Sequence, residues 1–257
     1  MIAAPHGSST DLAQRLGTNA RVCEVVSSTP LSSCLREVVL HGDATTLSGV
    51  PGNDVMIRMP GESQSFVRRR YSVRAVDAPR DELTLWISTM HDGAGSRWAQ
   101  EAAPGDAVDV VGPRGKIPLD PGAQWHLFMG DVTGLSAFYR LAQSIEPPGQ
   151  AILIIEIDHD DDARTAVLND GVGVTGIFVD RGERRRGDPT TMLNGLSAFA
   201  LPPGVGHAYL FGEFSVIRVL RETLVDRGIA DEQISTKAYW RTGRRNGANG
   251  EPEKDES

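Results

Sequence analysis

The sequence predicts two domains of different class: an antiparallel β-barrel over residues 18–120, then an open, parallel α/β sheet of nucleotide-binding type over 121–246. Three observations carry this. Up to about residue 119, short alternating runs are separated by turn residues, the pattern of antiparallel barrels and sandwiches. From Gln124 onward, apolar strands alternate with segments of helix length, the pattern of a βαβ series. Between the two textures stands Pro118-Leu-Asp-Pro-Gly122, a cluster of chain breakers that marks the boundary.

In the first part, strands are expected at Val22–Val26, Leu35–Leu40, Asp54–Met59, Phe66–Ala75, Leu83–Ser88 and Ala107–Val111. The breakers Gly49-Val-Pro-Gly52, Asp77-Ala-Pro79 and Pro104-Gly-Asp106 punctuate them. A short helix is expected from Gly95-Ser96 to Glu101. In the second part, Trp125–Met129, Ala151–Ile157, Gly176–Val179, His207–Phe211 and Ile234–Ala238 read as strands. The run Ala151–Ile157 is continuously apolar, as in a strand buried on both faces. Gly134–Ile145, Thr190–Phe199 and Phe214–Arg227 read as helices. Residues 1–17 and 247–257 are polar and are expected to be disordered tails.

The 257-residue chain carries a net charge of −8, which excludes a general nucleic-acid binder, since phosphate contacts need a basic face. No apolar run reaches the ~20 residues of a membrane-spanning helix, and the start has neither the basic nor the apolar region of a signal peptide. A cytoplasmic protein is expected. Cys23 and Cys34 are expected on neighbouring strands as reduced, half-buried thiols. No motif implies a protein metal site. Arginines gather at 68–70 and 74, at 181–186, and at 241, 244 and 245, as solvated faces or local anion sites.

Residues 69–74, Arg-Arg-Tyr-Ser-Val-Arg, are the most informative stretch. Strand side chains alternate, so Arg69 and Tyr71 share one face while Arg70 and Ser72 share the other. An arginine beside an aromatic suits a flavin dinucleotide: the guanidinium forks onto a pyrophosphate and the phenol lies against the isoalloxazine. An arginine-rich strand facing solvent would read the same way. Gly93-Ala-Gly-Ser96 precedes a helix start, where backbone N–H groups hold phosphate oxygens. Gly130-Asp131-Val-Thr133-Gly134 lies at the C-terminal end of the second domain's first strand, the edge where open sheets bind ligands. It lacks the GxGxxG pattern and also suits an ordinary loop with Thr133 as helix cap. Gly212-Glu213 holds the equivalent place after a later strand, to contact a nicotinamide or to cap the next helix.

In order, these segments resemble the siderophore-interacting protein family, flavin-dependent ferric-siderophore reductases of the ferredoxin-reductase superfamily, from about residue 20 to 246. Arg69–Arg74 matches the family's R-x-Y-[ST]-x-R. His91 with Gly93-Ala-Gly-Ser-Arg-Trp98-Ala resembles HG…GPASxWA, two residues shorter and with Asp92 and Ala94 for glycine and proline. Gly130–Ala137 resembles GDETALPA, with Val132 for glutamate and Ser136 for proline. Pro104-Gly-Asp106, Gly112-Pro-Arg-Gly115, Gly212-Glu213, Leu220-Arg221 and Tyr239-Trp240-Arg241-Thr-Gly-Arg244 complete the series.

The resemblance implies FAD on the barrel, NADPH or NADH as electron donor on the α/β domain, and a ferric siderophore as acceptor. It gives Ser72 and Tyr71 the catalytic positions, with Arg69 on the pyrophosphate and Ser72 near the flavin N5. Cofactor contacts extend to Val73, Arg74, His91, Gly93, Gly95, Ser96, Trp98, Asp131, Thr133, Gly212, Glu213 and Trp240. Arg74, Arg241 and Arg244 are the candidate contacts to an anionic chelate. The other reading is a flavoenzyme of the same fold acting on an organic substrate in a biosynthetic pathway.

Overall fold

The computed structural model describes residues 8–61, 66–115, 117–160, 162 and 173–244. The six strands of the first domain are β1 (Asn19–Pro30), β2 (Leu35–His41), β3 (Asp54–Pro60), β4 (Phe66–Asp77), β5 (Glu82–Ser88) and β6 (Ala107–Arg114). They close into a barrel in the order β1-β2-β5-β4-β3-β6, every pairing antiparallel. Alternation decides what fills it. Val38 and Leu40, Val55, Ile57 and Met59, Leu83, Leu85 and Ile87, and Val108 and Val110 recur at every second position and form one buried core. Each such side chain contributes about 1.5–3 kcal/mol when removed from water.

The first tail expectation is corrected here: much of it is a helix, α1 (Ser9–Leu16). Ser8 and Asp11 cap each other's backbone in a capping box, and Gly17 ends the helix at φ 63°. Ala13 of α1 packs on Met56 and Val111, outside the barrel core. A second short helix, α2 (Ala44–Ser48), buries Ala44 and Leu47 in the barrel core. The helix α3 (Ala94–Glu101) adds Ala99 and Trp98 to that core. Residues 1–7 and 245–257, which include the predicted C-terminal tail, lie outside the described residues.

The second domain contains β7 (Trp125–Asp131), α4 (Leu135–Ala142), β8 (Gln150–Ile157), β9 (Gly173–Asp180), α5 (Thr190–Ser197), β10 (Gly206–Glu213), α6 (Phe214–Asp226) and β11 (Ile234–Trp240). The sheet is parallel throughout, in the order β11-β10-β7-β8-β9. Every residue of β7 and β10 is buried, which requires helices on both faces. On one face Phe128, Leu153, Tyr209 and Phe211 pack with Phe138 and Leu141 of α4, and this cluster runs on into Leu35 and Trp86 of the barrel. On the other, Leu127, Ile154 and Leu210 pack with Met192 and Leu196 of α5 and with Ile217 and Leu220 of α6. Among the described residues, no helix is long and apolar enough to cross a membrane.

The two cysteines are free and buried at opposite ends of the β1–β2 pair. Cys23 Sγ donates to the carbonyl of Gly42 (3.2 Å), and Cys34 Sγ donates to Asp162 (3.0 Å). Burial, reinforced by Asp81 and Asp43, pushes the Cys23 thiol up to about 12. Burial and the Asp162 hydrogen bond push Cys34 up as well.

Candidate functional site at the domain seam

Strand β4 divides its arginines as period two demands. Arg69 and Tyr71 both face the first turn of α3: a Cβ placed on Gly95 would stand 2.1 Å from the Tyr71 hydroxyl and 3.7 Å from Arg69 Cγ. Only glycine permits that approach. Tyr71 packs against the barrel core, and burial pushes its phenol up, further from ionisation than an ordinary tyrosine. Arg69 is half-buried, which lowers its pKa, and one of its N–H groups reaches the carbonyl of Arg68 (2.9 Å). Gly93 is the N-cap of α3, no side chain caps the first turn, and no heavy atom lies within 4 Å of a Cβ built on Gly93. Helix N–H groups, an adjacent guanidinium and open space form a cradle that fits a dinucleotide pyrophosphate. Ser96 is buried and donates to the carbonyl of Thr89, while Trp98 wedges the helix onto the barrel.

The other face of β4 looks across to the second domain. Arg70 forks onto the fully buried Asp54 (3.1 and 2.6 Å), and Lys237 of β11 reaches the same carboxylate at 2.7 Å. Asp54 and Tyr239 hold the Lys237 ammonium above its ordinary range, against the opposing effect of burial. Ser72 Oγ meets the Tyr239 hydroxyl at 2.7 Å, and the Ser72 carbonyl accepts from Ser136 of α4 at 2.8 Å. Val73 points into the barrel core and shapes the site only through its backbone.

The second domain contributes the crevice between β7 and β10. Strand order reverses there: the chain leaves β7 for β8 on one side and returns to β10 on the other, the switch point at which open sheets bind nucleotides. The backbones approach so closely that a Cβ on Gly130 would stand 1.8 Å from the Phe211 carbonyl oxygen. Gly212 takes φ 151°, against the Asp131 carboxylate. Asp131 accepts from the Thr133 N–H (2.9 Å) and from Trp240 Nε1 (2.9 Å), so Asp131 rather than Thr133 caps the turn. Burial raises the Asp131 pKa. Trp240 packs on His91 with centroids 4.6 Å apart and the rings tilted by 55°, and burial followed by Arg186 lowers the His91 pKa. His91 Nε2 is buried and makes no protein hydrogen bond. Beside Asp131 in register, Glu156 of β8 also keeps one buried oxygen without a partner. Burial, then Asp131, raises its pKa to about 7.

Other expected residues have different partners. Both oxygens of Glu213 are engaged within the protein: one by the Thr242 N–H (3.0 Å), the other by the Val216 N–H (2.9 Å) and Ser215 Oγ (2.6 Å). Burial raises its pKa, but these hydrogen bonds outweigh burial and lower it. Arg74 lies over Trp86 and Tyr139 (4.8 and 5.3 Å) and donates to Gln143. Arg241 covers Phe214 at 4.6 Å and bridges to exposed Arg244. Asp54, Lys237, Tyr239 and Glu156 were not among the expected site residues. The Tyr-Trp ending was the available signal for Tyr239. No group of three or more His, Cys, Asp or Glu among the described residues is arranged to hold a metal ion.

Comparisons with known proteins agree with this layout. A family model for the siderophore-interacting FAD-binding domain matches residues 46–117, and one for the siderophore-interacting protein matches residues 123–243. An uncharacterized protein of Mycobacterium tuberculosis is 31% identical over 188 residues, 68% of this chain and 65% of that protein. The chain thus spans just under two thirds of that relative's length. The ferric vibriobactin reductase ViuB of Vibrio cholerae is 23% identical over 182 residues, 69% of this chain and 66% of that one. A siderophore utilization protein from T. fusca has the same fold: TM-score 0.77 at 24% identity, covering 89% of this chain and 95% of that one. The fold is also that of the ferredoxin reductase in carbazole 1,9a-dioxygenase: TM-score 0.72 at 21% identity, covering 87% of this chain and 70% of that one.

Proposed function

Because the chain belongs to the siderophore-interacting protein family, we propose that it is a cytoplasmic reductase that passes electrons from NAD(P)H through FAD to a ferric siderophore. One observation carries this reading. The uncapped first turn of α3, with Arg69 and Tyr71 beside it, is joined to the β7–β10 crevice across a seam fixed by Ser72–Tyr239 and Asp54–Lys237. FAD, when bound, takes two electrons as hydride from a reduced nicotinamide and releases them singly, and one-electron reduction loosens iron from hard oxygen ligands.

The chain's own residues bind and orient. Arg69 and the first-turn N–H groups of α3 supply charge-assisted hydrogen bonds to the pyrophosphate. Tyr71 offers its ring to the isoalloxazine and its hydroxyl as a donor. Tyr239 orients the Ser72 hydroxyl, and the Ser136 contact fixes the backbone of Ser72. Asp131, Trp240 and His91 wall the crevice, tied together by the Trp240–Asp131 hydrogen bond and the His91–Trp240 ring contact. Arg241 and Arg244, at the end of β11, suit an anionic chelate. The iron arrives on its chelator as substrate and leaves as Fe(II), so the protein needs no ligand cluster of its own.

The test is a visible spectrum of the protein loaded with FAD, followed anaerobically as NADH or NADPH and then a ferric chelate are added. Bleaching by a nicotinamide and return of the oxidised spectrum on adding the chelate are expected. A flavin that stays oxidised with both nicotinamides would overturn the assignment.

A further inference from the structure

Reduction changes the charge of a flavin. The oxidised isoalloxazine is neutral, and accepting a hydride leaves it with one negative charge, while the nicotinamide that gave the hydride becomes a cation. A protein tunes that step through fixed charges near the reacting edge of the ring. Such charges count most where water is excluded. In the reading above Ser72 stands at that edge, so the charges around Ser72 set the sign of the effect.

Ser72 and Asp54 stand directly opposite each other in the antiparallel β3–β4 pair, so their side chains share one face. That face meets β11. The Ser72 hydroxyl lies 2.7 Å from the Tyr239 hydroxyl. Lys237, two residues earlier on β11, puts its ammonium 2.7 Å from Asp54 Oδ2 and 5.0 Å from the Tyr239 ring. The four side chains form one cluster, in which the Asp54 carboxylate is fully buried and Lys237 is 15% exposed. Burial opposes the Lys237 charge, as does Arg70, but Tyr239 and Asp54 outweigh them and raise its pKa. The barrel brings two more cations to Asp54. Arg70 forks onto its carboxylate, and Arg114 of β6 lies in register with it while donating to Met56 Sδ (2.9 Å).

Resting on the reading that FAD lies against Ser72, we propose that Lys237 tunes the flavin. Its ammonium, carried to the seam by the second domain and anchored on Asp54, stabilises the negative charge the ring gains and makes the flavin easier to reduce. The proposal fixes a sign for each charge. Removing the charge of Lys237 disfavours the reduced flavin, and removing that of Asp54 favours it. A unit charge within about 10 Å at a partly buried site shifts such an equilibrium roughly tenfold.

The test is the midpoint potential of the FAD-loaded protein, measured anaerobically at neutral pH against a reference dye during slow enzymatic reduction. Lys237→Met is expected to lower the potential by about 30 mV, the two-electron equivalent of a tenfold change, and Asp54→Asn to raise it. Lys237→Arg, which keeps the charge, should stay close to wild type. The affinity of Lys237→Met for oxidised FAD should match that of wild type, whereas a merely structural loss at the seam would weaken it. An unchanged potential in Lys237→Met overturns the role of Lys237 and leaves the reductase reading intact. So does an equal fall in Lys237→Arg, or a shift of the same sign in Lys237→Met and Asp54→Asn. Should Asp54→Asn not fold, the two Lys237 variants decide. A wild-type protein that retains no FAD overturns both readings together.

Discussion

The hydroxyls of Ser72, on the barrel, and Tyr239, on the last strand of the parallel sheet, lie 2.7 Å apart, although 167 positions separate them in the chain. The bond crosses the seam at the residue expected nearest the flavin's reactive edge. Removing either hydroxyl costs about 0.5–1.5 kcal/mol if the pair acts as an ordinary hydrogen bond. A double-mutant cycle with Ser72→Ala and Tyr239→Phe should return a coupling energy of about 1 kcal/mol in urea unfolding. Additive effects would show that the two hydroxyls act independently.

Arg69 and Arg70 should separate cleanly by mutation. Arg69→Ala should weaken FAD retention by about 1.5–3 kcal/mol, roughly tenfold to a hundredfold, with little change in the melting temperature of the apoprotein. Arg70→Ala should do the reverse, because it strips one cation from the fully buried Asp54 and leaves Lys237 alone with that charge. Flavin absorbance after gel filtration and apoprotein melting curves report the two effects.

Gly95→Ala is the smallest change expected to damage the flavin site. The added methyl would stand 2.1 Å from the Tyr71 hydroxyl, closer than atoms approach, so either the ring or the first turn of α3 must move. Loss of bound FAD with retained far-ultraviolet circular dichroism is expected. Gly93→Ala, where nothing lies within 4 Å of the new atom, should be far milder in the apoprotein.

Glu156 predicts a pH dependence with a definite sign. Its folded-state pKa of about 7 lies above the ordinary 4.5, chiefly through burial and then through Asp131. The folded state therefore binds this proton more tightly than the unfolded chain does. The resulting stabilisation is complete below about pH 4.5 and is lost as pH rises through about 7. Glu156→Gln carries no such proton, so its stability relative to wild type should climb by about 1–3 kcal/mol between about pH 5 and pH 8. Urea midpoints of both proteins at the two pH values check this, and parallel curves would assign the effect elsewhere.

The barrel strands were legible because closure imposes strict alternation, and β7 and β8 because burial on both faces leaves continuous apolar runs. Helix α1 was read as a tail because it buries little more than Ala13 and Ser9, so its composition is that of a polar segment. Its capping box and terminal glycine were the signals present. The face shared by Arg69 and Tyr71 followed from period two alone. What Arg70, Ser72 and Arg74 touch did not, because Asp54, Lys237, Tyr239, Trp86 and Tyr139 reach them only through tertiary packing between distant segments. Glu213, expected either to contact a nicotinamide or to cap a helix, caps α6, and its second bond, to the Thr242 N–H, depends on β11 lying against β10.

The two cysteines have a chemical consequence. A sulfur that ionises only near pH 12, as Cys23 does, is no nucleophile in a neutral cell, and Cys34 is still harder to ionise beside Asp162. Oxidation by peroxide proceeds through the thiolate, and susceptibility follows thiolate character and exposure. With both thiols protonated and covered, neither cysteine is an easy target for peroxide or for disulfide exchange.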